Sequence, residues 1–284
     1  MQNFEDFDIE GQIHDNVLLD EVNRREKLVK LISQNYRLPE EQLDNNKALV
    51  DVIMQLRRES HPLIYEYNED IWNFLADNME FEEDNIPESR VIGKNSFYNR
   101  SKAKAYIDTY WENYNPAYPT FHGGGGDCAN FVSQVLYAGG MPWVDDGNPN
   151  HYTWFTNWYC KPGASNKDGD KRISLSWKVA ASFKRHWEKR AAKQVVISYK
   201  DAIDNMKGLS KQVFVGDPVQ FCYANGTAYH TLIVTGFAWD KAAKLNDIVL
   251  ASHTIDSNKR SLYNTIRKYP EDYLLRFYVI KESE

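Results

Sequence analysis

The chain has 284 residues, of which 42% are hydrophobic and 14% aromatic, and its formal net charge is −6. This apolar share can build a buried core, which argues against intrinsic disorder over most of the length. The negative charge and the scattered Lys and Arg argue against general nucleic-acid binding, which depends on clustered positive charge.

No apolar run reaches the roughly 20 residues that a membrane-spanning helix needs. The first ten residues, MQNFEDFDIE, are acidic and lack the apolar centre of a secretory signal. A cytoplasmic location is therefore expected, unless a leader was removed or export follows another route. The three cysteines form no CxxC pair, and an odd number suits a reducing compartment or a reactive thiol better than a disulfide framework.

Residues 1–92 are predicted to form a helical N-terminal region. Apolar residues recur at helical spacing over 17–32 and again over 43–56, and a third helix is predicted over 63–79. The acid-rich stretch 77–88 then predicts a linker, with a domain boundary near residue 93. The helices before that boundary are candidates for contact with a protein partner.

Residues 93–284 show a different pattern, in which helices come first and strands follow. Helices are predicted over 101–114, 128–138 and 175–190. Strands are predicted over 212–223, 229–239, 247–253 and 273–280. This order predicts an α+β domain with an antiparallel sheet packed on helices.

The strongest local motif is GGGGDCANF at positions 123–131, which places Cys128 in the first turn of an amphipathic helix. The unpaired N–H groups and the partial positive charge of a helix start stabilise a thiolate, the reactive form of cysteine. They also suit an oxyanion hole. Asp127 is predicted to be the N-cap residue of this helix. Cys160 and Cys222 are predicted to be inert core residues.

A reactive thiol needs a base, and two histidines are placed to help it. His230 opens an apolar strand and is predicted to be the general base. His253 closes the next strand, and a neighbouring strand position would let it orient His230 through a ring N–H. Asp256 is an alternative orienting acid, and the same reasoning leaves the choice between His253 and Asp256 open.

Further residues have secondary interpretations. Tyr98 and Asn99 are candidates for lining the site, although Asn99 also suits the N-cap of the following helix. His14, His61 and His186 are predicted to lie at the surface. Neither a cofactor nor a metal site is predicted, because no ligand spacing supports one.

Several segments, in order, resemble the bacterial "putative amidase domain" family. They are 98–100, 126–134, 139–140, Trp177, 216–221, His230 with 233–236, and 252–254. The family is similar to the NlpC-type and CHAP-type papain-like hydrolases, which cut amide bonds in cell-wall peptides. The resemblance implies a papain-like fold, Cys128 as nucleophile, His230 as base, and a polar third member mapped to His253. Tyr229 stands where the family commonly has an acid, and Ala129 where Thr or Ser is frequent, which leaves substrate preference open.

The resulting hypothesis is amide hydrolysis through an acyl-enzyme, with a peptidoglycan stem peptide or a similar peptide as substrate. Two alternatives remain open. One is an intracellular protein-modifying cysteine enzyme, such as a deamidase or an effector. The other is a binding module in which the same residues are catalytically silent.

Overall fold

A computed structural model describes residues 30, 32–33, 46–59, 61–62, 71, 98–121, 127–254 and 256–281. His14, the predicted helix over 63–79 apart from one residue, the acidic linker and the glycines at 123–126 lie outside the described residues. The helices within the described residues are α1 (Asn46–Arg58), α2 (Arg100–Tyr110), α3 (Cys128–Ala138), α4 (Leu175–Lys178), α5 (Ala180–Arg190), α6 (Tyr199–Asp204), α7 (Met206–Leu209) and α8 (Leu262–Ile266), with a short 3₁₀ helix at Pro149–Thr153.

Six strands form one sheet in the order β1-β6-β2-β3-β4-β5, and every neighbouring pair is antiparallel. The strands are β1 (Lys193–Ser198), β2 (Pro218–Cys222), β3 (Ala228–Asp240), β4 (Leu245–Ser252), β5 (Ser257–Ser261) and β6 (Leu274–Val279). The predicted α+β class with an antiparallel sheet is confirmed.

Three predicted boundaries were wrong. The helix expected over 101–114 ends at Tyr110. The helix expected over 175–190 is divided into α4 and α5, because Val179 has the extended backbone angles φ −116° and ψ 125°. The strand expected to start at residue 212 starts at Pro218, after a turn in which Gly216 has φ +88°. That positive φ is accessible to glycine at little cost and interrupts an extended strand.

The sheet separates two buried clusters. On one face, which we call the α3 face, side chains of α3 pack with Ile233 and Ala251 of the sheet. On the opposite face, which we call the α8 face, Phe221, Leu232 and Leu250 pack against the short helices α6, α7 and α8. Strand residues contribute alternately to the two faces, as the pleat of a sheet requires.

Helix α1 belongs to a third cluster that joins the N-terminal region to the domain. Its Leu49, Ile53 and Leu56 are buried together with Leu175 and Val179, at the two ends of α4. The predicted helical character of this region is confirmed over α1, and the boundary near residue 93 stays a prediction. Among the described residues, no helix is long and apolar enough to cross a bilayer.

Candidate active site

Helix α3 runs through the centre of the domain and begins at Cys128, as the sequence predicted. Every residue from Cys128 to Leu136 is buried, which is typical of a helix packed on all sides. The Cys128 side chain is 1% exposed. A chemical role for the sulfur therefore requires a local opening, and residues 122–126, which precede Asp127, lie outside the described residues.

Asp127 stands at the N-cap position, as predicted, although its side chain makes no capping hydrogen bond. Its carboxylate instead accepts hydrogen bonds from the backbone N–H of Phe121 at 3.1 Å and from Asn130 Nδ2 at 2.7 Å. A third contact joins Asp127 Oδ2 to His253 Nδ1 at 2.7 Å. One backbone N–H and two side chains hold this buried carboxylate in one orientation.

The His253 imidazole has a polar partner at each ring nitrogen and lies against two aromatic rings. Nδ1 contacts Asp127, and Nε2 lies 2.8 Å from the carbonyl oxygen of Tyr110, the last residue of α2. The rings of Phe131 and Tyr114 each lie 4.0 Å from the imidazole, centroid to centroid. Because both ring nitrogens have other partners, His253 does not orient His230 through a ring N–H, and that expectation was wrong.

Asp256 acts on a tyrosine and not on an imidazole. The Tyr114 hydroxyl donates to Asp256 Oδ1 at 2.8 Å, and the Tyr114 ring lies against His253 at a tilt of 33°. Burial raises the pKa of Tyr114, and the contact with Asp256 raises it further, so the hydroxyl stays protonated as a donor. Sequence reasoning missed Tyr114, because nothing in its local pattern distinguishes it from the other tyrosines of this segment.

His230 lies in β3, where its direct partner in β2 is Phe221. A bulge at this point leaves Tyr229 without a partner in the ladder, and it shifts the alternation of the strand. Directly paired residues project on the same side of a sheet, so the pairing assigns His230 to the α8 face with Phe221. The two rings are 6.2 Å apart, centroid to centroid.

The pairing thus does not bring His230 and Cys128 onto one face, since Cys128 belongs to the cluster of the α3 face. His230 is fully buried, and burial lowers the pKa of its imidazole well below the ordinary value, with the Arg260 charge as a second cause. The ring is therefore neutral near pH 7, in a form that can accept a proton. The role of His230 as general base stays a prediction.

Tyr98 and Asn99 have structural positions. Tyr98 is fully buried, its hydroxyl donates to the Gly216 carbonyl oxygen at 2.6 Å, and its ring lies against Gly139. A β-carbon at Gly139 would overlap that ring, which explains the glycine. Asn99 caps α2 by accepting from the Lys102 N–H at 2.9 Å. The N-cap interpretation of Asn99 is confirmed, and Tyr98 serves the core.

A buried polar network extends from Asp127 along α3, and sequence reasoning did not identify it. Asn130 Oδ1 accepts from Trp177 Nε1 at 2.9 Å, and Ser133 Oγ donates to the Trp177 carbonyl oxygen at 2.8 Å. Trp158 Nε1 then donates to Ser133 Oγ at 3.0 Å. The available signal was the i, i+3 spacing of positions 127, 130 and 133, a polar stripe on an otherwise apolar helix.

The two remaining cysteines and His186 are buried in the domain. Cys160 and Cys222 are buried, as predicted, and burial raises the pKa of Cys160 to about 12. His186 was predicted to be a surface residue, which was wrong. It is buried, its Nδ1 lies 2.7 Å from the Phe155 carbonyl oxygen, and burial lowers its pKa to about 3. Among the described residues, no cluster of His, Cys, Asp or Glu is arranged to hold a metal ion.

The fold and the site define a class, an α+β domain of mixed helix and antiparallel sheet built around a helix that starts on a cysteine. The chain belongs to the "Putative amidase domain" family, whose model matches residues 97–278. The resemblance seen in the sequence is thereby confirmed for the family.

A curated relative from Bacillus subtilis (strain 168), "Uncharacterized protein YhbB", is 31% identical over 189 residues. The aligned part covers 66% of this chain and 50% of the relative, so the chain spans about half the length of that protein. No solved structure matches the chain.

Proposed function

We propose that this protein is a papain-like, cysteine-dependent amide hydrolase in which Cys128 is the nucleophile. The observation that carries the proposal is the position of Cys128 at the first residue of a central helix that is buried from Cys128 to Leu136, beside a carboxylate held by an imidazole. Membership of an amidase-domain family supports the reaction class. The helix start supplies the partial positive charge that favours a thiolate.

The proposed reaction has two stages. The Cys128 sulfur, after giving its proton to a base, attacks the carbonyl carbon of the amide and forms a tetrahedral intermediate. Backbone N–H groups at the start of α3 stabilise its oxyanion. The C–N bond breaks as the base returns the proton to the leaving nitrogen, which yields an amine and a thioester. Water then attacks the thioester, and the acid and the free thiol are released.

His230 is the proposed base. His253 has both ring nitrogens engaged by Asp127 and Tyr110, so it does not accept the proton in this arrangement. Burial keeps His230 neutral, which a proton acceptor must be. The strand pairing places His230 on the α8 face. The proposal therefore requires a different local conformation at the Tyr229 bulge, in which this imidazole points toward α3. Bulges are places where a sheet re-aims a side chain.

The proposed substrate is a peptide amide of peptidoglycan, an assignment that rests on the likeness of the family to cell-wall hydrolases. The decisive experiment compares the wild type with Cys128→Ala on purified peptidoglycan, with release of new amino groups followed by mass spectrometry. Cys128→Ala is expected to lower turnover at least a thousandfold, because the thioester cannot form. Cys222→Ala, which removes another buried thiol, is the matched control and is expected to retain turnover.

Retained turnover in Cys128→Ala would contradict the mechanism. If the wild type releases nothing from peptidoglycan but deamidates or cleaves proteins in the same assay, the nucleophile stands and the substrate assignment is wrong. If native Cys128 is also inert to iodoacetamide near neutral pH, the protein is a binding module and not a hydrolase.

A further inference from the structure

The carboxylate of Asp127 creates an electrostatic problem for the proposed nucleophile. It belongs to the residue directly before Cys128 and is 2% exposed. A negative charge close to a thiol disfavours ionisation of that thiol, and burial strengthens the effect. Without a compensating positive charge, the Asp127 carboxylate would therefore oppose the stabilisation that the helix start gives to the Cys128 thiolate.

His253 can provide the compensating positive charge, and its hydrogen-bond partners indicate how its ring is protonated. The Tyr110 carbonyl oxygen can only accept a hydrogen bond, so Nε2 of His253 carries a proton. An ionised Asp127 carboxylate is also only an acceptor, so Nδ1 carries a proton as well. Both contacts are satisfied together by a doubly protonated ring.

Two further contacts favour a cationic ring at this place. Tyr110 ends α2, and the negative end of a helix dipole stabilises a protonated histidine. The Phe131 ring stacks on the imidazole and the Tyr114 ring lies against it at a tilt of 33°, each with its centroid 4.0 Å away, and the electron-rich face of an aromatic ring attracts a cation.

We propose that His253 is a positioning residue that neutralises Asp127 as an imidazolium and thereby protects the Cys128 thiolate. The inference rests on the proposed function, since it concerns the same thiol. His253 does not touch the substrate and acts through Asp127. The other described groups around the pair are the hydroxyls of Tyr106 and Tyr114, which donate to Gln134 and Asp256, and the neutral donors Asn130 and the Phe121 N–H. Among the described residues, His253 is the basic side chain that contacts the Asp127 carboxylate.

A direct test reads the protonation of His253 in the wild-type protein. Nitrogen-15 NMR of histidine-labelled protein near pH 7.5, with His253→Asn used to assign the signal, is expected to show two protonated ring nitrogens for His253. A neutral tautomer with one unprotonated nitrogen would overturn the inference. This measurement does not depend on catalytic activity.

A second test measures the effect on the thiol through the pH dependence of iodoacetamide labelling at Cys128. In His253→Asn, the amide nitrogen can replace Nδ1 as the donor to Asp127 but brings no charge, so the labelling midpoint is expected to rise by about one pH unit. Asp127→Asn combined with His253→Asn removes both charges and is expected to return the midpoint to the wild-type value. His186→Asn, which removes another buried imidazole, is the control for lost packing.

The outcomes separate the inference from the proposed function. A midpoint in His253→Asn equal to that of the wild type would overturn the inference alone, because it would show a packing role without charge compensation. Active wild type and an inactive Cys128→Ala would in that case still support the hydrolase. No labelling of Cys128 in any variant would contradict both.

Discussion

The two faces of the sheet differ in the way they use buried polar groups. On the α3 face, hydrogen bonds connect Asp127, Asn130 and Trp177 and end at the residue before Cys128. On the α8 face the core is mainly apolar and aromatic, and its buried polar contacts are separate ones: the Tyr199 and Tyr229 hydroxyls, whose oxygens are 2.9 Å apart, and Asp247, which accepts from the Tyr263 N–H of α8 at 3.0 Å. A fully connected polar network specifies one arrangement of its members. The α3 face is therefore organised to hold the helix start, and the α8 face to supply packing.

His230 gives the strongest test of this difference between the faces. The strand pairing places it on the α8 face, which supplies packing, whereas the proposed mechanism makes it the general base. We expect His230→Gln to lower kcat by about a hundredfold to ten-thousandfold, the usual contribution of a general base. His186→Gln removes an imidazole that is equally buried on the α3 side, and it is expected to leave kcat unchanged in the folded fraction. The measurement is steady-state kinetics at matched folded concentration.

A His230→Gln variant that is less stable but has wild-type kcat would show that this histidine belongs to the core. The division between the two faces would then be complete, and another group would have to be the base.

Trp177→Phe sharpens the comparison on the α3 face. The change removes the indole N–H that donates to Asn130, and it leaves a buried amide oxygen without its partner. An unsatisfied buried acceptor costs about 1–3 kcal/mol in the free energy of unfolding. Trp187→Phe is the matched control, since the Trp187 indole nitrogen is buried without a hydrogen-bond partner among the described residues.

Urea denaturation of the two variants measures the difference. Because both replace Trp by Phe at fully buried positions, the packing losses are similar and the excess loss in Trp177→Phe reports the hydrogen bond. Equal losses in the two variants would mean that the network on α3 adds nothing to stability.

The smallest effect is expected on the α8 face. Tyr229→Phe removes one hydroxyl of the Tyr199–Tyr229 pair, which should lower the free energy of unfolding by about 1 kcal/mol. Turnover should stay unchanged, since this pair lies on the packing face. A selective fall in kcat without loss of stability would connect the Tyr229 bulge to the chemistry.

The sequence predicted the elements whose signal is local. The bounds of α3 were correct because an apolar stripe starts just after the glycines and ends at Gly139. The antiparallel sheet followed from four apolar runs. The polar strand β5, SNKRS, was missed because it carries no apolar alternation and pairs with the edge of β4.

The site was harder to predict for two physical reasons. The partner of His253 lies 126 positions away in the sequence, and only the packing of α3 on the sheet brings Asp127 to it. The face of His230 depends on a one-residue bulge, which reverses the side-chain alternation and leaves no mark in the residue pattern. Cys128 was recognisable because the motif that identifies it is contiguous.

The contact of α1 with α4 affects how any future assay should be designed. Leu175 and Val179 flank Trp177, and Ile53 of α1 shares their buried cluster. A shortened chain that begins near residue 93 would expose two apolar side chains to water on either side of the indole that anchors Asn130. If such a fragment failed to turn over substrate, the cause would be the disturbed packing around Trp177. Substrate screens are therefore best carried out with the intact chain.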